Sequence, residues 1–170
     1  TNCATGTFQD QQGQTVCDNC PTGKWNDVSG NTVCKLCSAG LFGSTAAQST
    51  ENSGCSNCPK GKWSDTEGIL NCQLCSSGLY GSNEAQITEA AGCSSCPVGK
   101  WNDETGQDDC KDCPKGQFGT TAGQSTVSGG CSTCPTGKYE DTAGGTECET
   151  CPAGRFGQNP GQTTLNDGCI

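Results

Sequence analysis

The sequence predicts a small disulfide-rich fold of β-hairpin repeats: an elongated, solenoid-like rod with little regular secondary structure and no helices. Three observations lead there: eighteen cysteines in 170 residues, a cysteine spacing that recurs every 38 residues, and aromatic residues placed once per repeat unit and nowhere else. Cysteine above about a tenth of a chain marks a disulfide scaffold. Removing the cysteines from the 30% hydrophobic fraction leaves about a fifth of the chain apolar, below what an ordinary core uses. Covalent staples must then supply what burial cannot.

The cysteines stand at 3, 17, 20, 34, 37, 55, 58, 72, 75, 93, 96, 110, 113, 131, 134, 148, 151 and 169. From Cys17 onward the pattern repeats with a 38-residue period and no slippage. Each period holds two related units, so residues 1–170 read as one continuous array of nine. Short units run 3–17, 20–34, 58–72, 96–110 and 134–148; long units run 37–55, 75–93, 113–131 and 151–169. Copies without insertions are what stacked repeats in contact demand.

Within a unit, the third residue after the first cysteine is always glycine, from Gly6 and Gly23 to Gly154. The fifth is always aromatic: Phe8, Trp25, Phe42, Trp63, Tyr80, Trp101, Phe118, Tyr139 and Phe156. These nine form an expected packing spine, one ring per unit covering its own disulfide and its neighbour. The other orientation, outward as a ladder that stacks on carbohydrate, is the alternative.

Short units carry Asp at the seventh position (Asp10, Asp27, Asp65, Asp103, Asp141) and Gly at the tenth (Gly13, Gly30, Gly68, Gly106, Gly144). D-x-x-G fits a type I turn whose Asp accepts backbone N–H bonds, so each short unit reads as a tiny hairpin. Long units place Gly43, Gly81, Gly119 and Gly157 after the aromatic, then Gln48, Gln86, Gln124 and Gln162. Thr50, Thr88, Thr126 and Thr164 follow, and Gly54, Gly92, Gly130 and Gly168 precede the closing cysteine. A bulged or looped hairpin is expected there.

The string "CSNCPKGKWSDTEGILNCQLC" and its copies resemble ephrin-receptor-like cysteine-rich repeats, and also the first loop of tumour necrosis factor receptor cysteine-rich domains. The resemblance covers essentially the whole chain. It implies a disulfide-bonded, elongated, extracellular or cell-surface protein. Cytokine binding is not carried over, because the chain lacks the adjacent cysteine pairs of the second family and keeps a stricter period. Modules of this type serve in receptors, stalks and matrix alike.

Pairing within units gives Cys3–Cys17, Cys20–Cys34, Cys37–Cys55, Cys58–Cys72, Cys75–Cys93, Cys96–Cys110, Cys113–Cys131, Cys134–Cys148 and Cys151–Cys169. It uses every cysteine and agrees with the first loop of the receptors named above. An interleaved set beginning 17–34 and 20–37 strands Cys3 and Cys169, which could then bond between chains. Zinc is the other chemistry: eight C-x-x-C pairs would make four sites, again leaving Cys3 and Cys169 over. Calcium would need six to eight converging oxygens, and the densest acidic spot is Asp103, Glu104, Asp108, Asp109 and Asp112. No metal site and no cofactor are assigned.

Catalysis has nothing to stand on: there is no histidine, no spare thiol once disulfides form and no repeated carboxylate pair. The net charge of −9 and the lack of a basic cluster exclude nucleic acid as a partner. No apolar run approaches the roughly 18 residues of a membrane span. Asn31-Thr32-Val33 and Asn52-Ser53-Gly54 miss the N-glycosylation acceptor spacing, while plentiful Ser and Thr permit O-linked sugar. The chain opens on Thr1 and contains no methionine, which points to a processed or partial chain.

The expected function is non-enzymatic and structural: the subunit of an extracellular filament, appendage or sheath. The alternatives are the repeat stalk of a receptor or adhesion protein, and a metal-binding array. A copy placed after Ile170 continues the long-then-short order, with a junction "GCI"–"TNC" one residue longer than the internal "GCSNC". Non-closing end-to-end contacts make filaments, so the expected partner is the protein itself, head to tail. A fragment of a longer array would show the same junction.

Overall fold

The computed structural model describes residues 2–170. Nine disulfides join Cys3–Cys17, Cys20–Cys34, Cys37–Cys55, Cys58–Cys72, Cys75–Cys93, Cys96–Cys110, Cys113–Cys131, Cys134–Cys148 and Cys151–Cys169, and no free cysteine is left. Five loops are short, with a sequence separation of 14, and four are long, with 18. Closing a loop of this size is worth about 3 kcal/mol in the chain-entropy model.

Two compact units form: Thr1–Leu74 with Asn83–Gly92, and Cys75–Ser82 with Cys93–Ile170. The first holds four two-stranded antiparallel sheets: Thr7–Phe8 with Asp18–Asn19, Lys24–Trp25 with Lys35–Leu36, Leu41–Gly43 with Cys55–Asn57, and Lys62–Trp63 with Gln73–Leu74. The second holds Leu79–Tyr80 with Ser94–Ser95, Lys100–Trp101 with Lys111–Asp112, Gln117–Phe118 with Ser132–Thr133, and Lys138–Tyr139 with Glu149–Thr150. In each hairpin the first strand carries the aromatic, and the return strand draws on the residues between consecutive cysteine loops. A tight turn sets the first strand off. In "CPTGKW" the Lys24 N–H donates to the Pro21 carbonyl at 3.0 Å with Gly23 at φ 86°. That is a type II turn, which needs a positive φ at its third residue.

Among the described residues, four one-turn helices correct the expectation of none: α1 Glu51–Gly54, α2 Glu89–Gly92, α3 Val127–Gly130 and α4 Leu165–Gly168. Their cause is the threonine that precedes each one. Thr50, Thr126 and Thr164 sit in extended backbone and accept at their side chains from Ser53, Gly129 and Asp167 N–H, and Thr88 accepts from Ala91 N–H at 3.2 Å. This is N-cap geometry. The closing cysteine ends the turn: Cys55, Cys131 and Cys169 return to extended backbone.

The buried apolar set is almost entirely sulfur. Of fifteen buried hydrophobic residues among those described, fourteen are half-cystines and the other is Tyr139. No helix among the described residues is long and apolar enough to cross a membrane.

Candidate functional site

The chemistry this chain repeats is contact between one disulfide loop and the next. At each of the eight junctions the N–H of the tenth residue of a loop donates to the carbonyl of the first cysteine of the loop before it. The donors in order are Gly30, Ala47, Gly68, Ala85, Gly106, Gly123, Gly144 and Gly161, at 2.8 to 2.9 Å from Cys3, Cys20, Cys37, Cys58, Cys75, Cys96, Cys113 and Cys134. The tenth residue is left-handed throughout; Ala47 and Ala85 hold φ of 58° and 56° where the other loops use glycine.

Two further bonds complete the seam wherever a long loop precedes a short one. Gly40 and Gly43 N–H donate to the Ser64 and Ile69 carbonyls, both at 2.8 Å. Gly78 and Gly81 bond Asn102 and Gln107, and Gly116 and Gly119 bond Glu140 and Gly145, at 2.7 to 3.0 Å. Where a short loop precedes a long one, the donors are Asn26, Ser64, Asn102 and Glu140 N–H. They bond the Gln48, Gln86, Gln124 and Gln162 carbonyls at 2.9 to 3.0 Å.

The third-position glycines all hold a positive φ, and inside the array proximity confines them further. A β-carbon on Gly40 would sit 2.5 Å from the Ala85 carbonyl oxygen, and one on Gly116 2.4 Å from that of Gly161. Loops two apart therefore touch backbone to backbone at the third position. The glycine before the closing cysteine is equally confined: on Gly130 a β-carbon would meet those of Gln124 and Trp101 at 3.0 Å.

The nine rings hold different surroundings. Tyr139 is buried, most of the others are half-buried, and Phe156 is 59% exposed. In four short loops the ring faces the side chain opposite it on the return strand: Trp25 and Lys35, Trp63 and Gln73, Trp101 and Lys111, Tyr139 and Glu149. Lys35 and Lys111 lie over their indoles, 4.6 and 5.2 Å from the ring centroid, a cation–π contact. The Tyr139 hydroxyl donates to Glu149, which together with desolvation raises the phenol above its ordinary value of 10.0.

The turn aspartates do something other than expected. The turn N–H two residues on is taken by the residue before each of them: Val28 by Asn26 Oδ1, Thr66 by Ser64 Oγ, Glu104 by Asn102 Oδ1 and Thr142 by Glu140 Oε1. Asn26 and Asn102 are fully buried, and their amides also donate to the Thr7 and Leu79 carbonyls of the preceding loop. That sixth position differs in residue type from loop to loop, so a search for identical residues passes over it. Asp27 and Asp103 instead pair with Lys35 and Lys111 at 2.8 and 2.6 Å. Those hydrogen bonds lower both carboxyls below 3.8.

The acidic spot is spread over separate partners. Asp103 and Glu104 share Lys111, Asp112 takes Lys100 at 3.0 Å, and Asp109 caps the Cys110 N–H. Among the described residues no three His, Cys, Asp or Glu side chains are grouped to hold a metal. Every thiol is consumed in a disulfide, so no thiolate is present to take zinc.

The family model for tyrosine-protein kinase ephrin type A/B receptor-like repeats fits residues 43–88, 84–128 and 119–167. No curated protein matches the chain. The matched segments follow the alternation of short and long loops and reach from Gly43 to Asp167, well over half of the chain. The family is a non-catalytic, cysteine-rich type found in extracellular or cell-surface segments, receptor-like or structural. On that coverage, with its nine disulfide loops, the chain belongs to the ephrin type A/B receptor-like family of cysteine-rich repeats.

Proposed function

We propose that this chain is a structural subunit of an extracellular filament, appendage or sheath, an array of nine loops assembled head to tail. The observation that carries the reading is the seam. The bond from a tenth-position N–H to a first-cysteine carbonyl recurs at all eight junctions, so what each loop offers is a site for another loop. The repeated glycine and turn positions of the loops supply the backbone groups of that contact and its neighbours. A chain whose chemistry is to bind its own repeat is suited to building length.

Electron micrographs of the purified native protein test this, together with sedimentation over a wide concentration range. Filaments whose mass grows with concentration are expected. A monodisperse 17.3 kDa species at every concentration would remove the reading.

Family membership favours a second reading, the stalk of a receptor or adhesion protein that presents a partner-binding face. It predicts isolated particles in the same micrographs and a non-self partner in cross-linking of the native material.

A further inference from the structure

We propose that the last loop, Cys151–Cys169, is a docking face for the first loop, Cys3–Cys17, of a second copy, using the three backbone bonds that join long to short loops inside the chain. The inference rests on the head-to-tail reading and specifies its joint.

The groups that make an internal long-to-short seam are present at both terminal loops and, among the described residues, unpaired. In the last loop these are the Gly154 N–H, the Gly157 N–H and the Cys151 carbonyl, which stand where Gly116, Gly119 and Cys113 stand one repeat earlier. None of the three makes a hydrogen bond among the described residues, whereas the earlier set bonds Glu140, Gly145 and Gly144. In the first loop the matching groups are the Gln9 and Gln14 carbonyls and the Gly13 N–H. These too are unbonded, and Gly13 already holds the left-handed turn at φ 81°. Two donors and one acceptor on one face meet two acceptors and one donor on the other.

The space agrees with the bonds. Gly99 and Gly116 lie against carbonyls of loops two further on, but a β-carbon on Gly137 or Gly154 would meet nothing within 4 Å. The apolar surfaces agree as well. Phe42, at the fifth position of an internal long loop, lines a shallow groove together with Pro59, Lys62, Asn71 and Leu74 of the next short loop and its return strand. Phe156 is the equivalent ring and is 59% exposed; Val16 is the first-loop equivalent of Asn71 and is 70% exposed. Seating the first loop of a second copy on the last loop would cover the Phe156 ring as the next short loop half-buries Phe42, while Val16 would stay at the rim, as the exposed Asn71, Asp109 and Glu147 do in the internal short loops. Such an interface is heterologous and leaves a fresh face at each end, so it propagates.

The test uses two substitutions, one on each face, in the 170-residue chain. Phe156→Asp blocks the last loop, and Gln9→Trp blocks the first at the position where Ser64 and Asn102 are fully buried in the internal short loops. Sedimentation velocity is expected to show wild type as a concentration-dependent series and each variant alone as a 17.3 kDa monomer. Mixed in equal amounts, the variants should form a dimer and nothing larger, because each keeps one intact face; that rescue also shows both are folded. If both variants associate as wild type does, or the mixture gives no dimer while wild type polymerises, this joint is wrong and the filament reading stands on some other contact. If wild type stays monomeric at all concentrations, the filament reading itself fails.

Discussion

Ala85 holds φ 56° at the tenth position of its loop, where Gly123 and Gly161 stand in the later long loops. A β-carbon in the left-handed region costs about 1–2 kcal/mol, and glycine returns part of that as chain entropy. Ala85→Gly should therefore raise stability by about 0.5–1 kcal/mol, read as a higher melting temperature with disulfides intact. Gly40→Ala should move it the other way by more than about 2 kcal/mol. Its new methyl would sit 2.5 Å from the Ala85 carbonyl oxygen, and φ there is 82°. Equal small effects from the two would contradict the backbone contact between loops two apart. Asn102 gives a graded case. Asn102→Ser keeps an acceptor for the Glu104 N–H, as Ser64 does for Thr66, and loses only the donor to Leu79. It should cost about 1 kcal/mol, and Asn102→Ala about 2–3 kcal/mol; the same loss for both would mean the turn bond carries nothing. The glycines and aromatics were legible in the sequence because identity repeats at them. The sixth position was not, because Asn, Ser and Glu fill one role there with different atoms.

The hairpin and the capped turn are the two elements of the fold, and each fails in its own way. A strand pair of two residues is too short to stand alone, so it depends on the disulfide beside it and the loop next to it. The helices depend on their caps. Thr126→Ala removes the acceptor for the Gly129 N–H and should cost about 1 kcal/mol, with faster amide exchange confined to α3 and the Cys131 closure. Exchange unchanged there would dismiss the cap. Across the last hairpin of the second compact unit, Tyr139 donates to Glu149. The folded phenol is raised above 10.0, so the fold favours the neutral form. Its contribution is complete below pH 10 and is lost as the pH rises through the folded value. Absorbance titration of a Tyr80→Phe protein isolates Tyr139, whose ionisation should fall toward 10.0 when Glu149→Ala is added. No change on adding it would show that the hydrogen bond is not the cause. The hairpins were legible from turn residues flanked by fixed positions. The helices were not: four residues carry too little periodicity to read, and their one signal, a threonine three residues before a turn N–H, also fits an ordinary loop.

Among the described residues, fourteen of the fifteen buried hydrophobic residues are half-cystines, so cohesion in this molecule is local: each loop is closed by its own covalent bond and held by the bonds of its seams. Chains of this kind behave as sums of repeat and neighbour terms, and removing one staple should damage a neighbourhood instead of the whole. The periodic cysteines made that organisation visible in the sequence. The contact between loops two apart was not visible, since a backbone carbonyl leaves no residue signature and only the glycine opposite it records the approach. The sharpest case is the loop Cys96–Cys110, bonded on one side to the loop Cys75–Cys93 through Gly78 and Asn102, and on the other to the loop Cys113–Cys131 through Asn102 and Gln124. It also touches the loop two further on, where Gly99 lies against the Gly144 carbonyl. Replacing Cys96 and Cys110 together by Ala should cost about 3 kcal/mol within that region. Amide exchange should accelerate at Gly78, Asn102, Gly106 and Gly123, whose N–H groups bond across those seams, with a weaker effect at Gly144. Amides of the loops Cys3–Cys17 and Cys20–Cys34 should keep their wild-type protection. Uniform loss of protection would mean that the loops fold as one cooperative body, and loss confined to residues 96–110 that the seams contribute nothing. The graded pattern between those extremes is what a chain of short-range bonds requires.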